Sequence, residues 1–157
     1  MKITLFLIGK TNKEYISEAI EEYAQRIERY CKFEIKILPE LKNTKAMPIQ
    51  VQMQKEAEML LPAINGYQEI ILLDDKGKQF TSEEFANFIS KRMVNGQRDM
   101  AFVVGGPWGF DANVYKVANS KLSLSKMTLS HQIIRPVFLE QLYRAFTIIN
   151  GEPYHHS

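Results

Sequence analysis

Apolar runs of strand length alternate with stretches of helical periodicity along the whole chain. Ile3–Ile8 and Met100–Val104 are short continuous apolar runs, which are typical of strands buried on both faces. Tyr15–Tyr30 instead carries apolar residues at helical spacing. Further strands are predicted at 33–37, 70–73 and 122–124, and further helices at 48–61, 81–96, 112–118 and 130–149. This alternation predicts an α/β fold with a mostly parallel sheet that helices cover on both faces.

A few residues predict where the helices begin, end or bend. Asn12 is a good N-cap for the first helix, and Thr81 with Glu84 has the spacing of a capping box. Gly96 is a suitable stop for the helix that follows Thr81. Pro136 lies inside the last helical pattern, so it either kinks that helix or delays its start.

Folds of this class bind ligands beyond the carboxyl ends of their strands, which points to the segments after Leu73, Val104 and Leu124. The glycine cluster Gly105-Gly106-Pro107-Trp108-Gly109 follows one of these strands. The cluster indicates either a turn that needs positive φ or close approach of the backbone to a flat ligand. The hydroxyl-rich stretch 122–131 is either a strand end followed by a helix cap or an ordered loop whose backbone contacts a ligand.

Composition excludes several classes of protein. The net charge of +2 excludes a bulk basic nucleic-acid binder, and the single Cys31 excludes an intramolecular disulfide. No apolar run is long enough to span a membrane, and no secretory signal is recognisable, so we expect a cytoplasmic protein. Metal-ligand motifs, the P-loop, the dinucleotide fingerprint and the G-x-S-x-G elbow are all missing, so no metal is expected.

The basic excess lies near the C-terminus. From Lys116 onward there are five basic and two acidic residues. Arg144 lies four residues after Glu140, which is also the spacing of a simple helical ion pair. The tail carries Pro153, Tyr154 and two histidines, a composition suited to stacking on a base and contacting phosphate.

Four segments in order resemble the SPOUT-class methyltransferases of the RlmH (ribosomal RNA large subunit methyltransferase H) family. They are Phe102-Val-Val-Gly-Gly106, Leu122-Ser-Leu-Ser-Lys-Met-Thr-Leu-Ser-His-Gln132, Glu140-Gln-Leu-Tyr-Arg-Ala145 and Pro153-Tyr-His155. The resemblance extends over the whole chain and is strongest from Leu72 onward. Trp108 and Pro136 depart from the residues usual in the family.

The resemblance implies a single SPOUT domain over 1–157, with a C-terminal trefoil knot, that acts as a homodimer. It implies methyl transfer from S-adenosylmethionine to N3 of a pseudouridine in 23S ribosomal RNA, in an intersubunit-bridge hairpin of the whole ribosome. Carried over by motif, the cofactor contacts are Leu73, Gly105, Leu124, Ser125, Lys126, Met127, Thr128 and Leu129.

A base must accept the N3 proton, and His155 is the leading candidate by type and location, although water or phosphate is also an acceptor. Arg144 and Tyr154 are the candidates for contact with phosphate and base. Two alternatives stay open at this point. One is a non-catalytic ribosome-binding module that retains the fold. The other is a different nucleotide-binding enzyme, against which the missing fingerprints count.

Overall fold

The structure is a computed structural model that describes residues 1–156. Strands and helices alternate along the chain, as the sequence predicts. The strands are β1 (Lys2–Ile8), β2 (Lys32–Leu38), β3 (Glu69–Gln79), β4 (Asp99–Val104) and β5 (Ser120–Ser123). The helices are α1 (Glu14–Ile27), α2 (Ile49–Ile64), α3 (Ser82–Val94), α4 (Ala112–Val117) and α5 (Ile134–Ile149).

The five strands form one parallel sheet in the order β2-β1-β4-β3-β5. Alternate residues of each strand point to opposite faces, so the sheet has two apolar cores. On one face Leu5 and Phe102 pack against α1, α3 and α5. On the other, Phe6 and Val103 pack against α2 and α4. This arrangement confirms the predicted α/β class, while the trefoil knot stays a prediction.

The predicted start of α3 is confirmed, the last helix begins later than residue 130, as one of the two alternatives for Pro136 predicts, and the predicted cap of α1 is wrong. Thr81 and Glu84 form the capping box at α3, and Pro136 lies in the first turn of α5, which begins only at Ile134. Proline is tolerated there because the first N–H groups of a helix have no partner within it. Asn12 does not cap α1. Its N–H instead donates to Oε1 of Gln132 at 2.9 Å, and the capping position is Lys13.

β3 continues well beyond the predicted strand 70–73. Leu73 pairs with Leu122 of β5, and after an irregular excursion Lys78 pairs with the same Leu122. A Cβ on Gly77 would lie 2.6 Å from the carbonyl carbon of Lys121, closer than two such atoms approach. Glycine is therefore required for the excursion to lie against β5.

Candidate active site

A cavity of about 500 Å³ opens at the carboxyl ends of β3, β4 and β5. These are the three strand ends at which the sequence predicts a ligand. Its walls are formed by Leu73–Lys76, Val104–Phe110, Tyr115, Leu124, Ser125, Met127–His131 and Ile134. We call this cavity the strand-end pocket. Its size is in the usual range for small-molecule and cofactor sites.

Most of the residues predicted to contact a cofactor surround this pocket. Those lining it are Leu73, Gly105, Leu124, Ser125, Met127, Thr128 and Leu129. Lys126 is exposed and is not among the lining residues. Segments that follow three different strands thus share one cavity, although the contacts with a cofactor stay a prediction.

Hydroxyl groups hold the hydroxyl-rich loop in shape. The Ser123 hydroxyl donates to the carbonyl of Ser125 at 2.9 Å, and the Ser125 hydroxyl accepts from the N–H of Met127 at 2.9 Å. The Ser130 hydroxyl accepts from the N–H of Ile133 at 3.1 Å, next to the start of α5. These side chains satisfy neighbouring backbone groups, so the segment is an ordered wall of the pocket.

Hydrogen bonds from Arg135 hold the end of the hydroxyl-rich loop against the sheet. Its fully buried guanidinium donates to the carbonyls of Ile8 and Gly9 and to the Thr11 hydroxyl, each at 3.0 Å, and to the carbonyl of His131 at 2.9 Å. All four acceptors are uncharged oxygens. Burial therefore lowers the pKa of Arg135 below its usual value. The contacts join the carboxyl end of β1 to the start of α5.

Carboxylates form one wall of the pocket. Burial alone would raise the pKa of Asp74. Hydrogen bonds from the Tyr115 hydroxyl and from the N–H of Lys76 outweigh that effect and hold its pKa below its usual value. Asp75 accepts a hydrogen bond from the Thr128 hydroxyl at 3.3 Å, which joins this wall to the hydroxyl-rich loop. Asp74 therefore carries negative charge at neutral pH, and it lies beside Lys76 in the same wall.

The glycine pair beside β4 is explained by close packing and not by positive φ. Among the glycines of this turn only Gly109 has positive φ, at 83°. A Cβ on Gly105 would lie 3.1 Å from the ring of Phe110, and one on Gly106 would overlap Oε2 of Glu56. The prediction of a turn with positive φ is therefore confirmed at Gly109, while the close approach observed at Gly105 and Gly106 is to side chains of the protein itself.

Glu56 lies under this glycine pair in an unusual state. The residue is 5% exposed, and neither carboxylate oxygen has a hydrogen-bond partner among residues 1–156. Burial raises its pKa above the usual value. Nearby, Trp108 is half-exposed and its indole N–H donates to Oε1 of Gln52 at 3.2 Å. Trp108 thus covers the turn beside the pocket.

The three residues predicted to act on the substrate lie together at the C-terminal end of α5. Oε1 of Glu140 accepts from Nη2 of Arg144 at 2.5 Å and from the Tyr154 hydroxyl at 3.0 Å. The guanidinium also lies 4.7 Å from the centre of the Tyr154 ring. Nη1 of Arg144 is 3.2 Å from Nδ1 of His155, and Nε2 of His155 is 2.8 Å from Oε1 of Glu83.

These contacts define the tautomer of His155. Arginine only donates, so Nδ1 of His155 accepts, and Nε2 carries the proton that faces Glu83. The bond with His155 lowers the pKa of Glu83. We call Glu140, Arg144, Tyr154 and His155 the tail cluster. Sequence reasoning missed Glu83, because 72 residues separate it from His155 and no motif links them.

The tail cluster and the strand-end pocket are separate within one chain. Ile134 lines the pocket and Arg144 lies ten residues further along α5, which is about 15 Å at 1.5 Å per residue. None of the tail-cluster residues lines the pocket. Within residues 1–156, no group of three or more His, Cys, Asp or Glu side chains could hold a metal ion. No helix in that range is long and apolar enough to cross a membrane.

The parallel sheet, the strand-end pocket and the ordered loop before α5 define an α/β protein of the methyltransferase class, as comparison with known proteins shows. The family model described as "Predicted SPOUT methyltransferase" matches residues 1–155. The chain belongs to the SPOUT methyltransferases, and within them to the family of ribosomal RNA large subunit methyltransferase H.

Two relatives bear that name. The protein of Parabacteroides distasonis is 50% identical over 157 residues, which is all of both chains. The protein of Christiangramia forsetii is 51% identical over 156 residues, or 99% of each chain. Among solved structures, a probable methyltransferase from Bordetella pertussis has a TM-score of 0.56 at 12% identity, covering 91% of this chain and 95% of that one. This likeness supports the fold.

Proposed function

We propose that this protein, acting as one domain over residues 1–157, transfers a methyl group from S-adenosylmethionine to N3 of a pseudouridine in 23S ribosomal RNA. The observation that carries the proposal is the strand-end pocket, which lies where the family resemblance expects a cofactor. The names of the relatives support ribosomal RNA of the large subunit as the substrate. A ribosomal substrate implies that the protein works in the cytoplasm.

The chemistry of the pocket fits S-adenosylmethionine better than a phosphorylated nucleotide. Leu73, Val104 and Leu124 offer apolar surface to an adenine ring. Two carboxylates, Asp74 and Asp75, line the pocket against one lysine, Lys76, a balance that suits a ligand with positive charge and disfavours one with several phosphates. When bound, S-adenosylmethionine supplies an electrophilic methyl group on a positively charged sulfur. The carboxylate wall would stabilise that charge during binding.

The residues of this chain contribute mainly by positioning and by excluding water. Attack by deprotonated N3 on a sulfonium consumes two opposite charges, so the reaction is faster where water does not stabilise them. Reacting atoms must be held about 3–3.5 Å apart. Arg144 and Tyr154 would hold the nucleotide through phosphate and base contacts. His155 would take the N3 proton on Nδ1, for which its contact with Arg144 must open.

A homodimer accounts for the separation of the two groups. The tail cluster lies about 15 Å from the start of α5, whereas methyl transfer needs near contact. We propose that a two-fold dimer places the tail cluster of one subunit opposite the strand-end pocket of the other. Two-fold symmetry would then create two equivalent composite sites per dimer.

Mixed dimers test this arrangement. Thr128→Arg puts a long cation in the pocket, and His155→Ala removes the proposed base; each homodimer is expected to be nearly inactive. Mixing and reassociating the two variants makes half of the dimers mixed, each with one intact composite site, so about a quarter of the wild-type activity should return. No recovery, with mixed dimers demonstrated by mass spectrometry, would show that both groups act within one subunit.

Cofactor binding is tested separately by calorimetric titration with S-adenosylmethionine. Saturable binding that Thr128→Arg abolishes and His155→Ala preserves is expected. Absence of heat change at millimolar cofactor, with the protein folded, would exclude the proposed function.

A further inference from the structure

A second groove lies along the open edge of the sheet. β5 is the last strand in the sheet order, so its outer side faces no other strand of residues 1–156. A groove of about 430 Å³ runs between β5, the end of β3 and α3. Its walls include Lys78, Phe80, Phe88, Lys91, Ser120 and Lys121. We call it the edge groove.

Positive charge dominates this groove. Lys78, Lys91 and Lys121 are exposed, and none makes a salt bridge with any described residue. Arg92 is already paired with Glu69, with Nη2 2.5 Å from Oε1. Glu84 accepts from the N–H of Thr81 at 2.8 Å. The groove thus contains three lysines without an ion pair and one carboxylate that already accepts a hydrogen bond. The net charge of the whole protein is only +2.

Aromatic rings lie between these lysines. The rings of Phe80 and Phe88 are 5.4 Å apart, and both are partly exposed. Nζ of Lys78 is 4.9 Å from the centre of the Phe80 ring. The hydroxyl oxygen of Ser120 is buried and is not available to a ligand. The guanidinium of Arg92 lies 3.4 Å from the centre of the Phe88 ring and covers one of its faces. Cations and partly exposed aromatic rings are the groups with which proteins bind single-stranded RNA.

Shared wall residues link the edge groove to the strand-end pocket. Phe80 and Leu122 line both the edge groove and a shallower depression beside it. Leu124 lines both that depression and the strand-end pocket. Depressions that share walls therefore run from Lys91 along β5 to the site proposed for methyl transfer. A strand of RNA that enters the pocket with one base can follow this surface with its neighbours.

We propose that the edge groove binds single-stranded RNA next to the nucleotide to be methylated, with phosphates on Lys78, Lys91 and Lys121. This inference rests on the proposed function. A polyanion is the occupant favoured by the lysines, because a second copy of this nearly neutral chain would leave their charges unmatched. The groove is a binding surface that adds affinity for the substrate and takes no part in the chemical step.

The test is the triple variant Lys78→Gln, Lys91→Gln, Lys121→Gln. The matched control is Lys42→Gln, Lys45→Gln, Lys55→Gln, which removes the same charge from exposed positions outside the edge groove. For the edge variant we expect KM for ribosomal substrate to rise roughly tenfold, while kcat and the Kd for S-adenosylmethionine stay the same. The slope of log KM against log salt should fall by about 0.7–0.9 for each lost phosphate contact.

A second readout does not need catalysis. Anisotropy with a labelled single-stranded RNA should show weaker binding for the edge variant than for the control variant. If wild type binds this RNA through the groove but transfers no methyl group, the proposed function fails and the inference about the groove holds. Equal KM, salt slope and RNA affinity in the two triple variants would overturn the inference. So would dissociation of a dimer in the edge variant alone, which would make the groove a subunit interface.

Discussion

Gly77→Ala tests whether the excursion of β3 beside β5 forms a wall of the strand-end pocket. The added Cβ would lie 2.6 Å from the carbonyl carbon of Lys121 and 2.8 Å from two backbone atoms of Leu122. None of these atoms belongs to a side chain that can rotate away. The strain is therefore relieved only if the excursion separates from β5, which breaks the pairing of Lys78 with Leu122.

The cost follows from the steric overlap created and the backbone hydrogen bond broken. Overpacking costs about 1–3 kcal/mol, and a broken backbone hydrogen bond adds about 0.5–1.5 kcal/mol. The expected loss of stability is about 2–4 kcal/mol. A domain whose free energy of unfolding is about 5–15 kcal/mol stays folded after such a loss. For a chain of this length that loss lowers Tm by roughly 5–15 °C. Asp74–Lys76 move with the excursion, so the Kd for S-adenosylmethionine should rise about tenfold or more.

Chemical denaturation measures the stability, and calorimetry measures the cofactor affinity. Gly66→Ala is the matched control, because Gly66 has a φ of 92° and nothing lies within 4 Å of the position that a Cβ would take there. That variant should lose about 1–2 kcal/mol through backbone strain alone and keep its cofactor affinity. Stability and affinity of Gly77→Ala within about 0.5 kcal/mol of wild type would refute the reasoning.

Three further predictions concern single side chains. The raised pKa of Glu56 favours its protonated form in the folded protein, so its contribution to stability is complete at acid pH and is lost as pH rises through the folded pKa. Glu56→Gln should remove this decrease in stability with pH. A difference in free energy of unfolding between wild type and variant that is the same at every pH would contradict the prediction. His155→Ala should lower turnover by about 10²–10⁴ with little change in cofactor affinity, whereas the exposed neighbour His156→Ala should have no effect. Burial raises the pKa of the Cys31 thiol to about 11, so iodoacetamide should label it slowly at pH 8 in the native protein and rapidly after denaturation; equal rates would contradict the burial.

Local sequence signals predicted the elements well, because short-range physics determines them. The apolar run Ile3–Ile8 is the buried strand β1, and Thr81 with Glu84 forms the capping box. Asn12 does not cap α1, because the helix begins at Glu14 with Lys13 at the capping position. The N–H of Asn12 instead donates to Gln132, which is 120 residues away. Such a contact depends on how α5 returns to the sheet, and no local pattern contains that information.

The candidate site also has features that the sequence predicted and features that it did not. Gly105 and the segment after Leu122 were predicted to meet because parallel strands end at one edge of a sheet. The bond between Asp74 and Tyr115 was not predicted, since 41 residues separate them and neither belongs to a motif. The position of the tail cluster away from the pocket was also not predicted, because it depends on the contact of His155 with Glu83 of α3, which no local pattern contains.

The central claim is methyl transfer to N3 of one pseudouridine in 23S ribosomal RNA. Ribosomes lacking this modification are incubated with the protein and labelled S-adenosylmethionine, and the RNA is then digested and mapped by mass spectrometry. We predict one labelled methyl group, at N3 of a pseudouridine in the intersubunit-bridge hairpin, and an initial rate of labelling about 10²–10⁴ times lower with His155→Ala. Stable binding to these ribosomes without any incorporated methyl group, or label at another nucleotide, would contradict the account.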